Sequence, residues 1–120
     1  GAVAYVKDQG SCGSCWSFSA TGALEGEHFL TNKKMEIFSE QELLDCDSSL
    51  FTNHGCNGGL MDYAFEYAME NKMTRESEYP YEEDDSGACR ASKHEGVFSI
   101  GGYKDVKAGS EQDLLEALAV

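Results

Sequence analysis

Gln9-Gly10-Ser11-Cys12-Gly13-Ser14-Cys15-Trp16-Ser17-Phe18 is the stretch that decides the reading of the chain. Two cysteines stand three apart among small residues, and a tryptophan follows the second. From Ser17 to Leu30 the sequence reads as a helix, predicted over roughly 15–31 and ending near Thr31-Asn32. Cys15 therefore falls at a helix N-terminus. There the macrodipole and the unpaired N–H groups favour negative charge, and a thiolate is the nucleophile that a thiol is not. Ala20, Ala23, Leu24 and Leu30 supply an apolar stripe for the buried face.

The rest of the chain divides into short elements. Residues 1–8 alternate loosely and read as extended. Ser39-Glu40-Gln41-Glu42 is a capping box opening a helix that stops near Asp45-Cys46. Residues 47–57 are polar and loop-like. Gly58-Gly59 precedes a helix from Leu60 to about Asn71. Its Leu60, Met61, Ala64, Phe65 and Ala68 recur at core-facing spacing. Asp62, Glu66 and Glu70 form an acidic row expected to face solvent. Residues 72–95, with Tyr79-Pro80-Tyr81 and the acidic run Glu82 to Asp85, read as an irregular surface segment. Val97-Phe98-Ser99-Ile100 reads as a strand, interrupted at Gly101-Gly102 and resumed to Val106. Ser110 is an N-cap for a helix through Leu114, Leu115 and Leu118. That apolar stripe is still running at Val120, which reads as a truncated sequence.

With 22 acidic against 9 basic residues, the net charge of −13 argues against nucleic acid or an anionic membrane as partner. It suits a solvated surface, or a protein that works in acid. No window approaches the roughly 18 apolar residues of a membrane span, and there is no signal-peptide pattern or starting Met. No N-x-[ST] glycosylation site occurs. Five cysteines leave at least one unpaired. Four in disulfides plus one reactive thiol suits an extracellular or lysosomal setting. Two other readings of the cysteines stand beside this. Cys12 and Cys15 could form a redox pair, although the expected βαβ context is missing. Cys12, Cys15, Cys46 and Cys56 could hold zinc, although only one short-spaced pair is present.

Cys12-Gly13-Ser14-Cys15-Trp16 fits the C-G-[SA]-C-[WY] signature of papain and the cathepsins. The chain resembles papain-like cysteine proteases along nearly its whole length, the cathepsin L branch above all. The resemblance implies an α+β fold: a mainly helical left-hand domain over residues 1–95, then a truncated β-barrel domain over 96–120, with the boundary near Gly96. It implies that Cys15 is the nucleophile. Gln9 then supplies the side-chain donor of an oxyanion hole whose other donor is the Cys15 N–H. Gly13 becomes an S1 backbone position. Gly58 and Gly59 lie along the cleft and pair with an extended substrate. Leu60 and Met61 resemble part of an apolar S2 subsite, which would prefer a bulky apolar P2 side chain. For Leu60, core packing is an equal reading.

Four cysteines allow three pairings. The family pattern implies Cys12–Cys56 and Cys46–Cys89. No occluding loop is seen, which favours endopeptidase action. No cofactor or metal is expected. The implied partners are protein and peptide substrates, cystatin-type inhibitors and a cleaved pro-segment, around a monomeric complete enzyme in a lysosomal or secreted, mildly acidic setting.

The base is missing from this reading. His28 lies thirteen residues beyond Cys15 on the same helix, about 20 Å along its axis. His54 and His94 sit in polar stretches. In the family the His and Asn lie about 130–150 residues past the cysteine, so these 120 residues are expected to be inefficient alone. The alternative is an inactive fragment or binding module.

Overall fold

A computed structural model describes residues 1–47 and 52–118. Part of the loop expected at 47–57, and the chain end at Ala119-Val120 where the last apolar stripe was expected to run on, lie outside them. The described elements are α1 (Cys15–Asn32), α2 (Glu40–Cys46), α3 (Met61–Glu70), a single 3₁₀ turn (Ala91–Lys93) and α4 (Glu111–Leu118).

α1 is the central element, and α2 and α3 pack against it. Its buried face runs through Trp16, Ser17, Ala20, Thr21, Leu24 and Glu25. This corrects the expected stripe, because Ala23 and Leu30 are exposed. Three polar residues take their place, and each finds a partner inside. Ser17 Oγ donates to Ser14 O at 2.9 Å and Thr21 Oγ1 to a Glu40 carboxylate oxygen at 2.6 Å. Glu25 accepts from the Phe38 N–H at 3.0 Å. A paired polar group is cheap to bury, so hydropathy alone misplaces this face. The helix ends at Lys33, a left-handed residue with φ 59° whose N–H returns to Phe29 O.

α2 begins as expected, with Ser39 Oγ accepting from the Glu42 N–H at 2.9 Å. The reciprocal half of the capping box does not form. The Ser39 N–H goes instead to Thr74 O, and the Glu42 carboxylate accepts from the Thr74 N–H and the Tyr67 hydroxyl, each at 2.7 Å. Burial and the Glu42 carboxylate push the Tyr67 hydroxyl far above its ordinary range. These contacts bring residues 72–79 into the interior, where Met73, Thr74 and Tyr79 are buried. The segment is irregular, as expected, but is not confined to the surface. Cys46–Cys89 closes its far end, and Tyr79 OH donates to Asp45 Oδ2 at 2.7 Å.

No strand forms among the described residues. Phe98 makes one antiparallel bridge with Met73, and Phe38 another with Arg75. The strand expected at Val97–Ile100 stops because the Ile100 N–H is taken by Ala68 O, an otherwise unpaired carbonyl in the last turn of α3. Val97, Phe98 and Ile100 still pack against the core. Phe98 stacks on Phe38 at 5.7 Å, and the His28 ring stands edge-on to both.

The acidic row on α3 is only partly a solvent face. Tyr103 OH donates to Glu66 Oε1 at 3.3 Å, and a shared hydrogen bond with Asp105 holds the Asp62 carboxyl above its ordinary range. α4 begins as expected, with Ser110 Oγ accepting from the Asp113 N–H. Its Leu114, Leu115 and Leu118 remain exposed.

Beneath the N-terminal strap, Lys7 Nζ donates to Glu25 at 2.7 Å and to Glu40 at 2.6 Å. Both glutamates are almost fully buried. Glu76 completes this cluster by a hydrogen bond to Glu40. Burial alone would lower the Lys7 ammonium, but its two carboxylate bonds outweigh burial and hold it above its ordinary value.

Candidate active site

The loop before α1 is fixed at several points by long-range bonds. Asp8 Oδ1 accepts from the Gly10 N–H at 2.8 Å. Glu83 takes both the N–H and the hydroxyl of Ser11, and these bonds hold its carboxyl below the usual carboxylate range. A side chain at Gly10, where φ is 67°, would collide with that carboxylate. Gly13 pairs with Asn57 in a parallel bridge, its N–H donating to Cys56 O at 2.9 Å. The Cys12–Cys56 disulfide doubles this connection. Gln9 is half-buried, and its Nε2 donates to Cys12 O at 2.8 Å. The Gln9 main-chain carbonyl accepts from Tyr81 OH at 2.5 Å.

Cys15 is the first residue of α1, exposed and unbonded to any other cysteine. No acidic side chain lies in the first turn of α1, so nothing in that turn offsets the positive end of the helix dipole. Trp16, fully buried, anchors the turn by donating its indole N–H to Gly55 O at 2.9 Å.

The four remaining cysteines are joined as Cys12–Cys56 and Cys46–Cys89, the pairs that the resemblance implies. With Cys12 spent, Cys12 and Cys15 are no redox dithiol. Three of the four candidate zinc ligands are likewise consumed.

The second wall is the turn 53–60. His54 N–H donates to Gly58 O, and Asn57 N–H to His54 O. Gly58 has φ 112°. Asn53, fully buried, accepts from the Leu60 N–H at 2.6 Å and donates to Asp47 Oδ2 at 2.9 Å. Its carboxamide fills the space a Gly59 side chain would need. Of the two readings of Leu60 and Met61, core packing is excluded, because both are exposed, at 58% and 41%. Ala64 and Ala68 of the same stripe are buried as expected, while the helix starts at Met61 and leaves Leu60 as an extended N-cap residue.

None of the three histidines is hydrogen-bonded to Cys15. His28 is engaged by Lys34 O and two phenylalanines. His54 is an exposed turn residue, and the His94 ring lies tilted against Tyr79.

Asn53, Asp47, Glu83 and Tyr81 were not singled out as site residues by sequence. Each meets the site through partners distant in sequence or across a loop, Tyr81 reaching Gln9 across 72 positions. Asp47 has a measurable consequence. Burial pushes its carboxyl up to about 7, against the Asn53 bond, which lowers it. A raised folded value stabilises fully below the ordinary aspartate range and loses that stabilisation as pH rises through about 7. Asp47→Asn keeps an acceptor for Asn53 and removes the titration. Its melting temperature relative to the parent should therefore rise between about pH 5 and about pH 8. An equal difference at both pH values would sink this account.

A family model described as papain family cysteine protease matches residues 1–120. A cathepsin L-like peptidase of Aedes aegypti is 52% identical over 120 residues, covering 99% of this chain and 35% of that protein. The probable cysteine protease RDL2 of Arabidopsis thaliana is 49% identical over 122 residues, covering 99% and 33%. The crystal structure of the Carica candamarcensis cysteine protease CMS1MS2 in complex with E-64 has a TM-score of 0.90 at 38% identity, covering 99% of this chain and 55% of that one. The structure of digestive procathepsin L 3 of Tenebrio molitor larval midgut has a TM-score of 0.88 at 46% identity, covering 98% of this chain and 38% of that one. The chain spans about a third of the length of these curated relatives.

Proposed function

Because the chain belongs to the papain family of cysteine proteases, we propose that Cys15 is the nucleophile of a cathepsin L-like endopeptidase. Its fold is papain-like, and we assign residues 1–95 to the helical left-hand domain and 96–120 to the start of the barrel domain. The observation that carries the proposal is a lone exposed thiol at the head of α1, while the other four cysteines are spent in disulfides.

The chemistry follows from that placement. The Cys15 thiolate attacks the scissile carbonyl carbon, an S–C bond forms, and the carbonyl electron pair moves onto oxygen. The Gln9 carboxamide and the Cys15 N–H stabilise that oxyanion; Gln9 Nε2 spends one hydrogen on Cys12 O and keeps its second for the oxyanion. Collapse breaks the C–N bond, and an imidazolium gives its proton to the leaving amine. Water, deprotonated by the imidazole, then cleaves the thioester and restores the thiolate. We assign that imidazole and its orienting Asn to sequence beyond these residues, since the His28 and His94 rings are engaged elsewhere and His54 is an exposed turn residue with no bond to Cys15.

Gly13, Gly58 and Gly59 present backbone to an extended peptide, and the exposed Leu60 and Met61 line the subsite for a bulky apolar P2 side chain. Two disulfides suit a lysosomal or secreted protein. A procathepsin among the similar structures supports a cleaved pro-segment, and an E-64 complex supports capture by epoxide inhibitors. We extend this to cystatin-type inhibitors and to a monomeric complete enzyme.

The test is E-64 labelling of the mature full-length protein. One adduct on Cys15, with loss of peptide hydrolysis, is expected. An unlabelled Cys15 would instead mean a binding module.

A further inference from the structure

We propose that Tyr81 is a positioning residue for the oxyanion site, its hydroxyl tying the Gln9 main chain to the Ser14 side chain and so setting the separation of the two oxyanion donors. This rests on the reading of Cys15 and Gln9 given above. The hydroxyl lies 2.8 Å from Ser14 Oγ and 2.5 Å from Gln9 O. A phenol has one proton, and the Gln9 carbonyl can only accept it. Ser14 Oγ–H therefore donates to Tyr81, and Tyr81 donates to Gln9 O. Burial pushes the Tyr81 hydroxyl above its ordinary range, which keeps it a neutral donor across the working range.

The two arms joined by this relay are the ones that must be held in register. Ser14 is the fully buried N-cap residue immediately before Cys15, so its position sets where the Cys15 N–H points. Gln9 carries the other donor. Its Nε2 keeps a second hydrogen beside the one given to Cys12 O, and its main chain is held by Tyr81. Tyr81 is itself well fixed. Its N–H donates to Glu76 Oε1 at 2.8 Å, and its ring meets Phe18 of α1 edge-on at 4.9 Å. Tyr81 is thus supported from α1 and from Glu76, ahead of Pro80. Ser14 Oγ has only a 3.5 Å contact to Cys12 O as an alternative. Donors to a developing oxyanion are effective only when held in place, and a shift near 1 Å can cost about 10²-fold in rate.

Tyr81→Phe removes both hydrogen bonds and leaves the ring against Phe18. In the full-length protease, kcat for a peptide substrate should fall between about tenfold and about 10²-fold, with KM within about twofold. Alkylation of Cys15 by iodoacetamide, which displaces iodide and forms no oxyanion, should proceed at the parent rate. In a Gln9→Ala background the same substitution should have a much smaller effect, because the donor it positions is gone. Parent kcat in Tyr81→Phe, an equal fall in alkylation, or an undiminished effect beside Gln9→Ala would each overturn the proposal. A parent protein that neither hydrolyses peptides nor takes up E-64 would overturn the earlier reading instead.

Discussion

Replacing Cys15 by alanine in the full-length protein is expected to lower peptide hydrolysis by roughly 10⁴-fold or more, with little change in substrate binding. In the proposed mechanism the sulfur forms and breaks the covalent bond, and no neighbour can substitute for it. The other four cysteines are held in Cys12–Cys56 and Cys46–Cys89. Cys15 is exposed and closes no packing gap, so the variant should melt close to the parent temperature. Active-site titration beside steady-state hydrolysis would check this. Retention of more than about one part in a hundred of the parent kcat, far above the residue left when a covalent nucleophile is removed, would exclude Cys15 from that role.

The largest expected effect on stability lies elsewhere, at Lys7→Met. The ammonium sits between two nearly fully buried carboxylates, Glu25 and Glu40, at 2.7 and 2.6 Å. Removing one partner of a buried ionic group leaves uncompensated charge, and breaking such pairs costs about 3–5 kcal/mol. The loss has a defined pH dependence. Burial already pushes the Glu25 carboxyl above its ordinary range despite Lys7, and burial with the Glu40 bond pushes Glu76 well above it. A carboxyl with a raised folded value is favoured protonated, so its stabilisation is full below the ordinary range and fades as pH rises through the folded value. Without Lys7 that raising grows. The gap between parent and variant should therefore be narrow in acid and wide near neutrality. Urea midpoints of the two full-length proteins, compared across pH, would check it. A gap that is constant or narrows toward neutrality would mean that Lys7 is not the counter-charge of this cluster.

The parts of the fold that were legible in sequence are those written locally. The start of α1 at Cys15, the Ser39 cap of α2 and the Ser110 cap of α4 each follow from a few adjacent residues. The gaps have physical causes. Thr21 and Glu25 are polar yet buried because Glu40, Lys7 and Phe38 complete them across the fold, and Ser17 bonds back to Ser14 within its own turn. The strand expected at Val97–Ile100 loses the Ile100 N–H to the end of α3, a competition that β-propensity does not contain. At the candidate site, the five-residue Cys12–Trp16 stretch was readable because its chemistry and its turn are contiguous. Tyr81 and Asn53 were not, since their meaning lies in partners supplied from elsewhere in the chain.

The two disulfides have sequence separations of 44 and 43 and interleave, since 12–56 overlaps 46–89. A single peptide-bond break anywhere between Cys12 and Cys89 therefore never divides the molecule. Before Cys46 the fragments stay joined through Cys12–Cys56, after Cys56 through Cys46–Cys89, and between those points through both. A stray cut in this stretch becomes a scar rather than an amputation. The thiol at the head of α1 keeps its scaffold after damage that would split a chain with side-by-side bridges in two.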